Sequence, residues 1–158
     1  QEFAQIREWN HSNSLDWHLL KDKRHIGIKN CVKELNRIYK EEKSLWEKDV
    51  HPSGFEGINC DDRDNSIISF IRRSDNPKDF LVFVVNFTPV PKENYKLGVP
   101  ELCFYEEIFN SNSSDYGGTN TGNSGGVHAQ KSPAYNRPYS VSVFVPPLAG
   151  VILKPKYT

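Results

Sequence analysis

Two tryptophans, Trp9 and Trp17, stand near the start of the chain among Arg7, Glu8, Asn10, His11 and His18. Flat aromatic faces beside short polar groups suit sugars, whose rings combine apolar faces with hydroxyl edges. The competing expectation is that both indoles belong to a core. Three carboxylates, Glu2, Glu8 and Asp16, share the segment. Glycoside chemistry needs two carboxyls held roughly 5–10 Å apart on a rigid frame. Nothing in this irregular stretch fixes such a distance, so solvated or ion-paired carboxylates are expected.

Other motifs carry less chemistry. Gly122-Asn123-Ser124-Gly125-Gly126 fits G-x-S-x-G, but a nucleophile elbow needs a strand before the serine and a helix after it. Gly-rich sequence flanks this serine and Pro133 follows, so a surface loop is expected. Asn123 stands where a P-loop needs lysine. Asp61-Asp62-Arg63-Asp64-Asn65 has the composition of a calcium loop without its ligand spacing, and reads as a hairpin turn. Cys31, Cys60 and Cys103 share no CxxC spacing and supply no four-ligand zinc site. Free, buried thiols in a reduced, cytoplasmic protein are expected. Neither metal nor cofactor is expected. Asn10, Asn86 and Asn112 fall in glycosylation sequons, which are coincidental if the chain does not enter a secretory route.

The bulk properties narrow the partners. The chain has 158 residues, with 20 Lys+Arg against 20 Asp+Glu. Zero net charge gives no electrostatic reason for nucleic acid or an anionic membrane. No apolar run approaches the roughly 20 residues of a membrane helix. An aromatic share of 12% speaks against disorder. No methionine occurs and Gln1 opens the chain, so a piece of a longer polypeptide is expected.

Several elements must position these residues. Ile28, Cys31/Val32, Leu35 and Ile38/Tyr39 recur at three- and four-residue steps, the period of one buried helical face, and predict a helix over 25–47. Leu45 and Trp46 would extend that face until His51-Pro52-Ser53-Gly54 breaks it. Strands are expected at 55–60, 66–73, 79–87, 102–109, 139–145 and 149–154, where β-branched and aromatic residues lie between Asp/Asn/Gly/Pro clusters. Leu81–Val85 is continuously apolar and reads as a central strand. The fold class is mainly β, an antiparallel sandwich of six to eight strands. Residues 1–24 and 110–138 read as irregular. The first stretch cannot be stable alone and should pack on a neighbour. The second is long enough to be functional or mobile.

Particular strings then add a resemblance. QEFAQIREWNHSNSLDWHLL (1–20) resembles the segment after the last barrel strand of bacterial-type 1,4-α-glucan (glycogen) branching enzymes, in the α-amylase superfamily. NFTPVPKENYKLGVP (86–100), NSNSSDYGGTNTGN (110–123) and NRPYSVSVFVPPLAGVILK (136–154) resemble later blocks in the same order. Two departures stand out: Gly57 replaces a usual Trp, and Tyr135-Asn136 replaces a usual His-Gly. The resemblance implies that residues 1–48 are the last loop and closing helix of a (β/α)8 barrel domain. Residues 49–158 would be the C-terminal sandwich.

It also implies retaining transfer of an α-1,4-glucan chain to a 6-hydroxyl, by an Asp nucleophile, a Glu acid/base and a second Asp. All three match positions upstream of Gln1, so this segment alone should have no catalysis. Loops after the strands of such a barrel build the active-site face. On that basis Trp9 is expected to be a sugar platform, shaped by Arg7, Glu8, Asn10 and His11, with Trp17 packed beneath the loop. The implied partners are α-1,4-glucan or glycogen and the remainder of the barrel. The alternative is a non-catalytic α-glucan-binding or structural sandwich. The enzyme reading further implies an exposed apolar face on helix 25–47, where barrel neighbours would pack.

Overall fold

A computed structural model describes residues 2–157. Gln1 and Thr158, the outer ends of the two expected segments, lie outside the described residues. Helix α1 runs Lys23–Glu41, and the strands are β1 (Phe55–Asp62), β2 (Ile67–Arg73), β3 (Phe80–Asn86), β4 (Lys92–Val99), β5 (Phe104–Asn110), β6 (Gly126–His128), β7 (Tyr139–Val145) and β8 (Gly150–Lys156). The expected strands all form, each bounded within two residues of its expected range. Strands β4 and β6 were not expected. In β4 the first residues, Lys92, Glu93 and Asn94, are polar, and a register shift before Tyr95 coincides with Asn94 at φ 53°. This bulge breaks the two-residue alternation that marks a strand in sequence. Strand β6 has only three residues.

Six strands form an antiparallel sheet in the order β1-β2-β3-β8-β5-β6, and β4 pairs with β7 in a second sheet. Between them lie Ile67, Ile71, Phe80, Val82, Val84, Leu97, Val99, Tyr105, Val141, Val143, Val145, Val151 and Leu153. Val141, Val143 and Val145 point inward, as alternation along β7 requires. The larger sheet is covered on its other face too. Leu81, Ile152 and Phe109 pack there with Ile38 of α1. Burial on both faces explains the unbroken apolar run of the central strand β3. A bulge between Glu107 and Phe109 in β5 sets the two faces. Glu107 lies opposite Leu153 toward the sandwich interior, and Phe109 lies opposite Ile152 toward the helix.

Helix α1 begins where the Asp22 carboxylate accepts a hydrogen bond from the Arg24 amide at 2.9 Å. The Arg24 guanidinium also bonds this carboxylate and holds its pKa down at about 2. The helix ends earlier than its periodicity suggested. Glu42 leaves helical geometry, and its carboxylate takes the Lys154 ammonium of β8 at 2.7 and 2.8 Å. A short 3-10 turn over Lys43–Leu45 follows; Leu45 joins the cluster beneath the helix and Trp46 is exposed. At Gly27 the helix meets the turn Ser114–Tyr116, where an added Cβ would stand 2.5 Å from the Tyr116 carbonyl oxygen. Residues 110–138 are therefore anchored on the helix and paired with β5 through β6.

Two buried polar groups tie loops to the sheets. The Asn86 carboxamide donates to the carbonyls of Val90 and Pro146 (2.8 and 3.0 Å) and accepts from the Thr88 amide and hydroxyl. Its sequon is thus structural, since the nitrogen a glycan needs is buried and spent. Arg137 donates to Glu56 (2.5 Å) and to the Gly57 carbonyl (3.1 Å). Arg137 also donates to the Tyr135 carbonyl at 3.1 Å, and Tyr135 and Asn136 both take left-handed backbone, with φ 49° and 59°. The thiols correct the expectation of burial. Cys31 and Cys103 are half-buried, while Cys60, on the edge strand β1, is exposed.

Candidate functional site

Residues 2–17 form a loop pinned at both ends against the start of α1. Phe3 is buried and stacks on Trp17, with ring centroids 5.5 Å apart. The Phe3 carbonyl lies 2.8 Å from His25 Nδ1. The Gln5 carboxamide oxygen accepts the Asp16 amide at 2.9 Å, and the Arg7 guanidinium donates to the Asp16 carboxylate at 2.8 Å. These bonds cross the loop at its neck, so its tip does not depend on the tip's own packing.

The tip carries the expected sugar-contacting residues together. Trp9 is 78% exposed, far beyond what a core indole would show. His11 leans against it with ring centroids 6.2 Å apart, and Glu8 and Asn10 are exposed on either side. The Asn10 side chain accepts the Ser12 amide at 2.9 Å and closes a tight turn. Arg7 and Trp9 border a hollow of about 50 Å³ with Phe3 and Leu15. Arg7, Glu8 and Asn10 border a second of about 80 Å³ with Asp16. Neither encloses a sugar, so the arrangement offers one open indole face with polar groups at its edge. That chemistry is stacking and hydrogen bonding.

The carboxylates do not form an acid/base pair. Asp16 is buried and engaged by Arg7, while Glu2 and Glu8 are exposed. Trp17 is less covered than expected. It is 56% exposed, although the buried Phe3 ring stacks on it. Ser124 is followed by the short strand β6 instead of a helix, so no nucleophile elbow forms. Asp61–Asn65 spans the turn between β1 and β2, where Asp62 accepts bonds from Asn65 and the Tyr95 hydroxyl. Among the described residues no group of three or more His, Cys, Asp or Glu side chains could hold a metal. No helix among them is long and apolar enough to cross a membrane.

One feature of the surface was missed in the sequence. A cavity of about 660 Å³ opens beside Glu107, Tyr116 and Phe144. The unusual length and Asn/Ser/Thr/Gly content of 110–138 was its only signal.

Residues 58–156 match the family model described as "Alpha amylase, C-terminal all-beta domain". The 1,4-alpha-glucan branching enzyme GlgB of Paramagnetospirillum magneticum is 45% identical over 98% of this chain and 21% of its own length. The enzymes of the same name from Aquifex aeolicus and Cellvibrio japonicus are 44% and 47% identical over 97% of this chain, and over 24% and 20% of their own lengths. The chain thus spans about a fifth to a quarter of these relatives. The similarity takes in the loop and helix as well as the sandwich, and bears out the resemblance carried by the sequence strings.

Proposed function

On the premise that the chain belongs to the alpha amylase C-terminal all-beta domain family, we propose that it works as the C-terminal part of a 1,4-α-glucan branching enzyme. One observation carries the reading. The similarity to such enzymes covers 97–98% of the chain and so includes the loop of residues 2–17, which a sandwich module would not need. In this reading residues 1–48 close the catalytic (β/α)8 domain and residues 49–158 are the C-terminal sandwich. The chemistry, breaking an α-1,4 bond and remaking the chain at a 6-hydroxyl, belongs to carboxylates outside this chain.

The work of this segment is substrate contact and support. Trp9 offers its face to a glucosyl ring of the donor or acceptor chain. Arg7, Glu8, Asn10 and His11 supply edge contacts to its hydroxyls, and the Arg7–Asp16 pair keeps the loop in place. The partners are α-1,4-glucan or glycogen and the rest of the barrel, and the compartment is the cytoplasm. Retaining glucosyl transfer requires no cofactor.

The exposed side of α1, with Ile28, Leu35 and Tyr39 each 39–50% exposed, supports the placement against barrel neighbours. Two measurements test the reading. An antibody to residues 110–138 should detect, in the source organism, a polypeptide several times larger than 18.1 kDa. A band near that mass would overturn the enzymatic reading. In the intact enzyme, Trp9→Ala should shift the transferred chain length or weaken apparent glucan affinity. Unchanged product chain lengths and affinity would remove Trp9 from the substrate groove.

A further inference from the structure

Asp16 precedes the 3-10 turn Trp17–Lys21, a place where an Asp side chain ordinarily accepts an amide of the first turn. It makes no such bond. Its carboxylate instead reaches back nine residues, to Arg7 Nη2 at 2.8 Å. The two partners are unequally covered, the Asp16 side chain being 11% exposed and that of Arg7 68%. An exposed guanidinium is solvated whether or not it is paired. A buried carboxylate without a partner is costly. The pair is therefore enforced from the Asp16 side, and the segment carrying Arg7 has to stay within its reach.

The backbone closes at the same place. Gln5 uses both ends of its carboxamide there: the oxygen accepts the Asp16 amide at 2.9 Å, and the nitrogen donates to the Arg7 carbonyl at 3.3 Å. Gln5, Arg7 and Asp16 thus form one closed set of bonds. Beyond them the turn after Trp9 closes on itself, with the Asn13 amide on the Asn10 carbonyl at 3.2 Å and the Ser12 amide on Asn10 Oδ1 at 2.9 Å. Every residue from 8 to 15 is exposed, so packing contributes little to where Trp9 stands. The neck decides it. A binding group works when supporting hydrogen bonds hold it to within about 0.5 Å of its productive place.

We infer that Asp16 is a positioning residue. Through Arg7, and through its own amide on Gln5, it sets where the Trp9 indole meets the glucan, and so which length of chain is transferred. Asp16 itself touches no sugar and moves no proton. Arg7 Nη2 is committed to Asp16, so any edge contact Arg7 makes to substrate comes from a side chain that Asp16 holds. The latch is read from geometry; its effect on glucan transfer rests on the proposed function.

Hydrogen exchange on the intact polypeptide, followed by mass spectrometry, reads the latch directly. Asp16→Ala and Gln5→Ala should each speed exchange in peptides covering residues 9–17 by about tenfold, with peptides of α1 and β3 unchanged. The kinetic arm uses the intact enzyme acting on amylose. Trp9→Ala and Asp16→Ala should each raise apparent KM about tenfold, by more than they lower kcat, and shift the transferred chain length in the same direction. The double variant should be no worse than Trp9→Ala, since a latch acts only through what it holds. Asp16→Asn, which keeps an oxygen for Arg7 Nη2, should come within about threefold of the parent enzyme. Additive losses, about a hundredfold in the double variant, would overturn the positioning role. So would unchanged exchange in both neck variants, or an Asp16→Asn enzyme as poor as Asp16→Ala. If Asp16→Ala does not fold, Gln5→Ala, at a half-buried side chain, supplies the same two readouts. Absence of branching activity in the unmutated polypeptide would overturn the enzymatic reading and with it the glucan role of Asp16, while the exchange result still decides the latch.

Discussion

The N-terminal loop and helix treat their apolar side chains differently from the strands that follow. Phe80, Leu81, Val82, Val84, Leu97 and Leu153 are fully buried in the sandwich. Among the described residues before position 49 only Phe3 and Ile38 are buried large apolar side chains, and Ile6, Trp9, Trp17, Ile28, Leu35 and Tyr39 are exposed. The sandwich closes its own core between two sheets and uses α1 to cover part of an outer face. The loop and helix close nothing by themselves. They are held by the few apolar anchors Phe3 and Ile38 together with discrete polar contacts such as Arg7–Asp16, His25–Phe3 and Glu42–Lys154. Packing thus sets stability in one region, while the other keeps apolar surface available for contact.

Substitutions can break this contrast, and the largest effect should come from the core. Phe80→Ala should cost about 3–5 kcal/mol, the range for deleting a buried aromatic, measured as a loss in urea unfolding free energy. A cost under about 1 kcal/mol would mean that the sandwich is not the stabilising unit. Asn86→Ala comes next. It leaves the Pro146 carbonyl without its buried donor and takes one of two donors from the Val90 carbonyl, and should cost about 2–3 kcal/mol in the same assay.

A pH series sharpens the picture at the sheet edge. Burial penalises the charged form of Glu56, yet the hydrogen bond and charge of Arg73, with the charge of Arg137, together hold its pKa below the usual carboxylate value. A carboxyl depressed in the folded state stabilises the fold above its unfolded pKa, about 4.3. That contribution is lost as pH falls through the lower folded value. Stability should therefore drop below about pH 4.3, and Glu56→Gln should flatten that acid limb of the urea midpoint. Asp62, held down by the Tyr95 and Asn65 hydrogen bonds against its own desolvation, adds to the same limb.

The smallest effects on stability should fall in the first region. Leu35→Ala, on the exposed side of α1, should change unfolding free energy by less than about 1 kcal/mol, and Trp9→Ala by less than about 0.5 kcal/mol. A larger loss for Trp9→Ala would mean that its indole supports the loop instead of standing free. The contrast then lies between assays: Trp9 should matter to glucan contact and Phe80 to folding.

The expected strands were legible because their side chains obey a rule local to each segment. Val141, Val143 and Val145 alternate, and Leu81–Val85 is apolar throughout since both faces of β3 are covered. The helix was legible from its spacing, but its end was not. Glu42 leaves the helix where it meets Lys154, 112 residues away in sequence, and no window on the local sequence contains that partner. Strand β4 was hidden by its bulge at Asn94. The Trp9 cluster was visible as a grouping of residue types, because its members are neighbours in the chain.

Sequence alone determined the class of fold, the family resemblance and the residues at the loop tip, since periodicity, turn chemistry and motif strings are properties of consecutive residues. Only the tertiary structure decided which surfaces stay open. Trp9 stands exposed at the tip of a loop whose neck the Arg7–Asp16 pair crosses, and Trp17 stays half exposed although Phe3 stacks on it. The cleft beside Glu107 exists because Asn123 joins two sheets that are remote in the chain, through Glu107 and Phe144. Exposure and cavity shape depend on the sum of distant contacts, which a linear pattern does not record.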